Sequence, residues 1–294
     1  MRFCRFDDNR LGVVEGDLVK DVTAVLDQLP AFRWPLPHGD VFMSNFNKLR
    51  PQMEKLAQTA EGKPLSAVKL LSPIANPGKI IGAPINYRAH HQEVLDDKAL
   101  HHGMTIKGIA EAGVFLKATS SLVGASEGVV VDWSDRRTDH EIELAVVIGK
   151  QGFRISEADA LDYVAGYAIG LDMTIRGPEE RSYRKSLDTF SVLGPWVVTA
   201  DEISDPNKLD FELTITGNSR QKSNTDMLVF NVQKLIAFAS KAYSLYPGDI
   251  IMTGTPEGVA PVAAGDTMHA RIDQIGEMDV KVYGDWTSVG AARA

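Results

Sequence analysis

Residues 139–149 read Asp-His-Glu-Ile-Glu-Leu-Ala-Val-Val-Ile-Gly, a buried-strand pattern with two carboxylates two positions apart at its start. Side chains alternate across a strand, so Glu141 and Glu143 leave from one face and Ile142 from the other. Two negative charges beside an apolar run repel each other unless a cation lies between them, and a divalent ion with oxygen ligands is the simplest such cation. A Glu-x-Glu at a strand start is otherwise the solvated face of an edge strand. A second apolar segment, 166–174, carries the single carboxylate Asp172 near its end and supplies a third oxygen. Three hard donors, with no cysteine and no obvious ligating histidine, favour Mg²⁺ or Mn²⁺, with Ca²⁺ also possible, over Zn²⁺. His140 leaves from the other face and is read as packing or as support behind the ligands.

A second constellation lies in residues 86–93, Asn-Tyr-Arg-Ala-His-His-Gln-Glu, where a short apolar strand runs into a helix. His90 and Glu93 are spaced i, i+3, so on a helix they share a face, and the carboxylate can orient the imidazole and raise its basicity. That is a general base with its orienting partner, or two ordinary polar residues at the start of a surface helix. His91, His101 and His102 fall in polar, loop-like surroundings and are expected to be exposed. Lys185 is either an ordinary surface lysine or a fixed cation facing a developing oxyanion. Arg88, Arg176 and Lys185 are the cations available to an acidic ligand. Residues 253–258, Thr-Gly-Thr-Pro-Glu-Gly, form a tight turn whose N–H groups and hydroxyls suit a small anion.

The elements that must position these groups are mostly strands. Apolar runs at 1–6, 11–15, 19–22, 79–83, 114–117, 129–131, 141–149, 166–173, 194–198, 211–216, 249–253, 267–272 and 276–282 have strand length and turn signals between them. Helical periodicity is confined to 46–59, 86–95, 157–161 and 232–243, with a short helix at 23–29. This is a β-dominated α+β fold without βαβ alternation, which excludes Rossmann and TIM-type sheets. Residues 1–75 form a small N-terminal α+β domain with a structural or dimer-supporting role, and 76–294 the main domain. The stretch 95–113 is long for a connection and lies where a lid over the site would be.

Composition bounds the partners. A chain of 294 residues with net charge −8 and no basic stripe is not built for nucleic acid. No apolar run approaches the roughly 20 residues of a membrane helix, and the N-terminus lacks a signal peptide's apolar core, so a cytoplasmic location is expected. Cys4 is the single cysteine, which leaves no internal disulfide framework and reads as a buried strand residue.

Taken in order, Asn86-Tyr87 with His90 and Glu93, Phe115-Leu116-Lys117, residues 140–149, Gly166-Tyr167 leading to Asp172, Lys185-Ser186, and residues 253–256 with Gly258-Val259 resemble the fumarylacetoacetate hydrolase family over roughly 81–282. The resemblance implies a mixed β-sandwich roll with a small N-terminal domain, usually a homodimer. It implies Mg²⁺ or Mn²⁺ held by Glu141, Glu143 and Asp172, and C–C bond cleavage in a 2-oxo or β-diketo acid. His90, oriented by Glu93, would deprotonate water; Lys185 would stabilise the oxyanion; Tyr87, Arg176 and Thr255 would contact the substrate. The expected activity is hydrolysis of an acylpyruvate, such as fumarylpyruvate or maleylpyruvate, to pyruvate and a second acid. The alternatives are an oxaloacetate-type decarboxylase, an oxo-dienoate isomerase, and a non-catalytic β-domain with a structural Ca²⁺.

Overall fold

In the computed structural model, residues 1–289 are described, so the last five positions of the expected 76–294 unit lie outside the described residues. Two large sheets organise the chain, with a two-stranded pair of Thr138–Asp139 and Thr174–Ile175 beside them. The larger, of twelve strands, runs from one edge through Gly62–Pro64, Leu18–Asp21, Arg10–Glu15, Arg2–Phe6, Ser191–Thr199, Val164–Asp172, Ile142–Ile148, Ile250–Met252 and Ile80–Gly82 to Phe115–Lys117, with Leu70–Leu71 paired to Arg2–Phe6 and Leu122–Val123 to Ser191–Thr199 off this path. The smaller runs Asn218–Asn224, Asp210–Ile215, Thr267–Ile272, Gly276–Tyr283 and Val129–Val130. Most neighbours are antiparallel, but Ile250–Met252 pairs with Ile80–Gly82, and Gly276–Tyr283 with Val129–Val130, in parallel. The fold is therefore a β-dominated, mixed-sheet α+β architecture, as the strand pattern requires. Among the described residues, no helix is long and apolar enough to cross a membrane.

The Ile142–Ile148 strand explains the layering. All seven of its residues are buried, so both faces of the sheet must be covered there. Ile142, Leu144, Val146 and Ile148 pack in one core with Phe211, Leu213, Met268 and Ala270 of the smaller sheet. Ala145 and Val147 point the other way and pack with Phe46, Leu49 and Met53 of the Val41–Thr59 helix. Each such aliphatic side chain stabilises the fold by about 1.5–3 kcal/mol relative to exposure, and a one-residue slip would exchange the two faces.

Register then gathers the acids. Antiparallel pairing sets Ile142 opposite Leu171 and Glu143 opposite Gly170. Asp172 consequently lies beside Glu141, to whose carbonyl its N–H donates at 2.8 Å. Glu141 and Glu143 share the face of Ala145 and Val147, so three carboxylates meet at one end of that face.

Residues 1–75 extend the same sheet, with Arg2 opposite Val198 and Phe3 opposite Val197. Their helix begins at Val41 rather than at 46, because Asp40 caps it: its Oδ1 accepts the Met43 N–H at 3.0 Å. Two elements escape the sequence periodicity. Asn218–Asn224 is an edge strand whose sole buried residue is Gln221, so it lacks apolar alternation. Arg181–Lys185 is a five-residue helix, started by Glu180 accepting the Ser182 N–H and too short to show a period.

Candidate active site

The three carboxylates open into a cavity of about 60 Å³ that is also lined by His90, Arg176, Arg181, Arg184, Lys185 and Thr255. Ligand oxygens of Glu141, Glu143 and Asp172 lie within 4.8 Å of one another. The cations around them are unevenly shared. Lys185 Nζ donates to Glu141 Oε2 at 2.6 Å, to Asp172 Oδ2 at 2.7 Å and to Thr174 Oγ1 at 2.6 Å. Lys117, wholly buried, bonds Asp172 Oδ1 and the Phe190 carbonyl. Arg176 bridges Asp139 Oδ2 at 2.8 Å and Glu141 Oε1 at 3.0 Å.

Titration follows this sharing. Burial opposes the charge on Glu141, but Lys185 and Arg176 overcome it and hold the carboxyl well below the usual carboxylate range. Glu143 is different: burial, then the charge of Asp172, pushes its carboxyl well above that range. Among the described residues Glu143 has no ion pair of its own, and the Gly254 N–H is its hydrogen-bond donor at 2.6 Å. A buried carboxylate without a cation, next to two more oxygens, is the donor set a hard divalent ion satisfies. Glu141, Glu143 and Asp172 therefore fit Mg²⁺ or Mn²⁺.

His90 is buried on the Arg88–Asp96 helix, and its Nδ1 lies 2.8 Å from Glu93 Oε2. Glu93 is pinned in turn, its Oε1 accepting the Gly258 N–H at 2.9 Å. The 253–258 turn thus directs one N–H to Glu143 and another to Glu93. Both donors are glycines with positive φ, +101° at Gly254 and +92° at Gly258, where a side chain would strain the turn. A Cβ at Gly258 would also run into the Arg220 carbonyl. These two amides serve the site's own carboxylates, and the Thr253 N–H goes to the Leu144 carbonyl at 3.1 Å.

Thr255 is held by a residue invisible to periodicity. Gln221 Oε1 accepts the Ile142 N–H at 3.1 Å and faces His140 Nδ1 at 2.9 Å, so its Nε2 donates to Thr255 Oγ1 at 2.7 Å. The Thr255 hydroxyl oxygen accepts that bond, and its own proton is left to donate elsewhere. His140 lies behind this amide, and burial holds its pKa down.

The geometry and the family comparison converge. Residues 79–283 match the model described as fumarylacetoacetate (FAA) hydrolase C-terminal. The chain belongs to the fumarylacetoacetate hydrolase family. A maleylpyruvate hydrolase of Aquipseudomonas alcaligenes is 52% identical over 284 residues, 96% of this chain and 99% of that protein. The crystal structure of maleylpyruvate hydrolase from Sphingobium sp. SYK-6, in complex with manganese(II) and pyruvate, superposes with a TM-score of 0.82 at 42% identity, covering 96% of this chain and 99% of that one. A mitochondrial oxaloacetate tautomerase of Rattus norvegicus is 36% identical over 231 residues, 74% of this chain and 71% of that protein.

Of the residues singled out in the sequence, Glu141, Glu143, Asp172, His90, Lys185, Arg176 and Thr255 line one cavity, with Glu93 behind His90. Tyr87 does not line it. Its ring is buried in the core, edge-on to Phe211 with centroids 6.2 Å apart, and it borders a separate depression with Ile109 and Val229. The substrate contact expected of Tyr87 has no counterpart in the lining of this cavity. The 95–113 stretch forms short helices, Lys98–His101 and Ile109–Ala112, and contributes Leu100, Met104 and Ile106 to the cavity wall. Lys117 stands in the Phe115-Leu116-Lys117 motif, which assigns it no partner; its pairing with Asp172 joins residues far apart in the chain. Asp139, Gln221, Arg181 and Arg184 carried no distinguishing signal.

Proposed function

We propose that this protein hydrolyses the C–C bond of an acylpyruvate, a β-diketo acid of the maleylpyruvate type, releasing pyruvate and a carboxylic acid. The observation that carries the reading is the His90–Glu93 pair facing the same cavity as the three-carboxylate cluster: hydrolysis needs a base for water, and metal binding alone does not. Similarity to two maleylpyruvate hydrolases over nearly the full length of each supports the same substrate class.

Glu141, Glu143 and Asp172 would hold Mn²⁺ or Mg²⁺, which when bound supplies Lewis acidity toward the 2-oxo group of the substrate. Glu93 accepts from Nδ1 of His90, which leaves Nε2 as the basic nitrogen. His90 removes a proton from water, and the oxygen attacks the acyl carbonyl carbon. Lys185, whose three N–H donors go to Glu141, Asp172 and Thr174, would release one of the two carboxylates to the metal and turn that donor to the oxyanion that results. The bond between that carbon and the pyruvyl methylene then breaks, its electron pair moving into the enolate of pyruvate. The proton on His90 returns to the methylene carbon, so water is consumed and both acids leave. Thr255 donates to the carboxylate of the 2-oxo acid end, and Arg176 holds Glu141 in place.

The test is pyruvate release, coupled to lactate dehydrogenase, from maleylpyruvate, fumarylpyruvate, acetylpyruvate and oxaloacetate, with Mn²⁺, Mg²⁺ or EDTA. Release from a diketo acid that EDTA abolishes is expected; pyruvate from oxaloacetate alone would replace the hydrolase with a decarboxylase. The reading extends to a cytoplasmic homodimer, which light scattering on the purified protein checks for oligomeric state.

A further inference from the structure

The Arg181–Lys185 helix places a third arginine in the cavity wall, Arg184, that the reaction above does not use. Arg184 is 5% exposed, and its Nη1 is buried with no hydrogen-bond partner among the described residues. Its Nε is fixed by the Glu179 carbonyl at 2.9 Å, so the guanidinium plane is anchored on one side and unpaired on the other. A buried guanidinium nitrogen without an acceptor is destabilising and marks a place where an absent ligand completes the structure.

Neighbouring carboxylates cannot complete it, because each is already engaged. Glu179 is gripped by both nitrogens of Arg136, at 3.0 and 2.8 Å. Glu141 is held by Lys185 and Arg176. The Glu180 carboxylate caps the helix through the Ser182 N–H. Arg181 lines the same wall, its guanidinium packed over Phe115 at 5.6 Å from the ring centroid. The cavity wall carries four cations, Arg176, Arg181, Arg184 and Lys185, against the three carboxylates, and a bound divalent ion adds to the positive side. A dianion offsets more of that excess than a monoanionic acid does.

We propose that Arg184, supported by Arg181, is the specificity element that binds the distal carboxylate of the acyl arm, so that the enzyme selects dicarboxylic acylpyruvates over those ending in an alkyl group. This rests on the acylpyruvate reading. A planar carboxylate matches the unpaired edge of an arginine fork, and an ammonium at the same place would supply charge without the paired geometry.

The experiment compares kcat/KM of the Mn²⁺-loaded enzyme for maleylpyruvate and for acetylpyruvate, which lacks the distal carboxylate, in wild type, Arg184→Gln and Arg184→Lys. In Arg184→Gln the loss on maleylpyruvate should exceed the loss on acetylpyruvate by about 100-fold, mostly in KM, the scale of one charged hydrogen bond. Arg184→Lys should fall between, and it carries the comparison if Arg184→Gln does not fold. Equal losses on the two substrates would overturn the proposal and leave Arg184 a structural residue. If wild type releases pyruvate from neither acid, the acylpyruvate reading fails by itself, and calorimetry with maleate then decides Arg184. Binding weakened at least tenfold in Arg184→Gln sustains the anion site, and equal binding removes it.

Discussion

Replacing Glu143 with glutamine should act in opposite directions on the metal-stripped and metal-loaded protein. Burial, followed by the charge of Asp172, raises the Glu143 carboxyl well above its unfolded value of 4.5. A carboxyl raised on folding costs stability at pH above the unfolded value, by about 1.4 kcal/mol per pH unit until the folded value is passed. At about pH 7.5 the ceiling on that cost is about 4 kcal/mol, and allowing for relaxation we expect about half of it. The glutamine oxygen can still accept the Gly254 N–H, so the substitution removes the charge while keeping the bond. Stripped with EDTA, Glu143→Gln should therefore be more stable than wild type by about 2 kcal/mol, or about 4 °C in Tm for a chain of this size. The gain should shrink as pH falls and vanish near 4.5, where the unfolded carboxyl is protonated too. With Mn²⁺ at a hundred times its Kd, wild type should gain about 2.7 kcal/mol, whereas the variant, short of one charged ligand, should gain less than about 1 kcal/mol. Thermal melts in EDTA and in Mn²⁺, at about pH 5 and 7.5, read all four quantities. A variant less stable than wild type in EDTA at the higher pH, or one with an undiminished metal gain, would refute the assignment of Glu143 as the carboxylate awaiting a cation.

The other expectations concern separate parts of the molecule. His90→Ala should lower acylpyruvate hydrolysis by about 10²–10⁴-fold while sparing metal-dependent enolisation of oxaloacetate, followed by enol absorbance; undiminished pyruvate release would remove His90 as the base. Lys117→Met takes from Asp172 one of its two buried cations and should cost about 3 kcal/mol in urea unfolding in EDTA, with part recovered in Mn²⁺, and an unchanged midpoint would show that the pair does not matter. The Cys4 thiol is pushed up to about 12 by burial and then by Asp7, so it should not react with a thiol reagent at about pH 8 until urea unfolds the chain. Because that folded value exceeds the unfolded one of 9.0, its contribution to stability should decline as pH rises from 9.0 toward about 12. Rapid labelling of the native protein would contradict the burial.

Local periodicity carried much of the site into the sequence. A strand's alternation is a property of the backbone, so Glu141 and Glu143 share a face wherever the strand is placed, and they do. The i, i+3 spacing of His90 and Glu93 works the same way on a helix, and the two side chains meet at 2.8 Å. The long apolar strands and the Val232–Ala242 helix were equally legible, because each buries a repeating pattern. Short elements without a period were not: Arg181–Lys185 is a single turn and a half, and Asn218–Asn224 is polar along almost its whole length.

What neither alternation nor spacing contains is which distant segments become neighbours. Asp172 stands beside Glu141 only because two strands pair in one register, and that register follows from burying both faces of the sheet at once. Lys117 reaches Asp172 across 55 positions, and Gly254 reaches Glu143 across 111. The unpaired edge of Arg184 is likewise a tertiary fact, since it depends on Arg136, Arg176 and Lys185 having already taken the nearby acids. The sequence by itself determined the chemistry available and the face from which each local pair projects. Only packing decided which carboxylates are neutralised by lysine and arginine, which one is left for a metal ion, and which cation is left for a substrate, because charge compensation is settled among side chains that meet only in the folded chain.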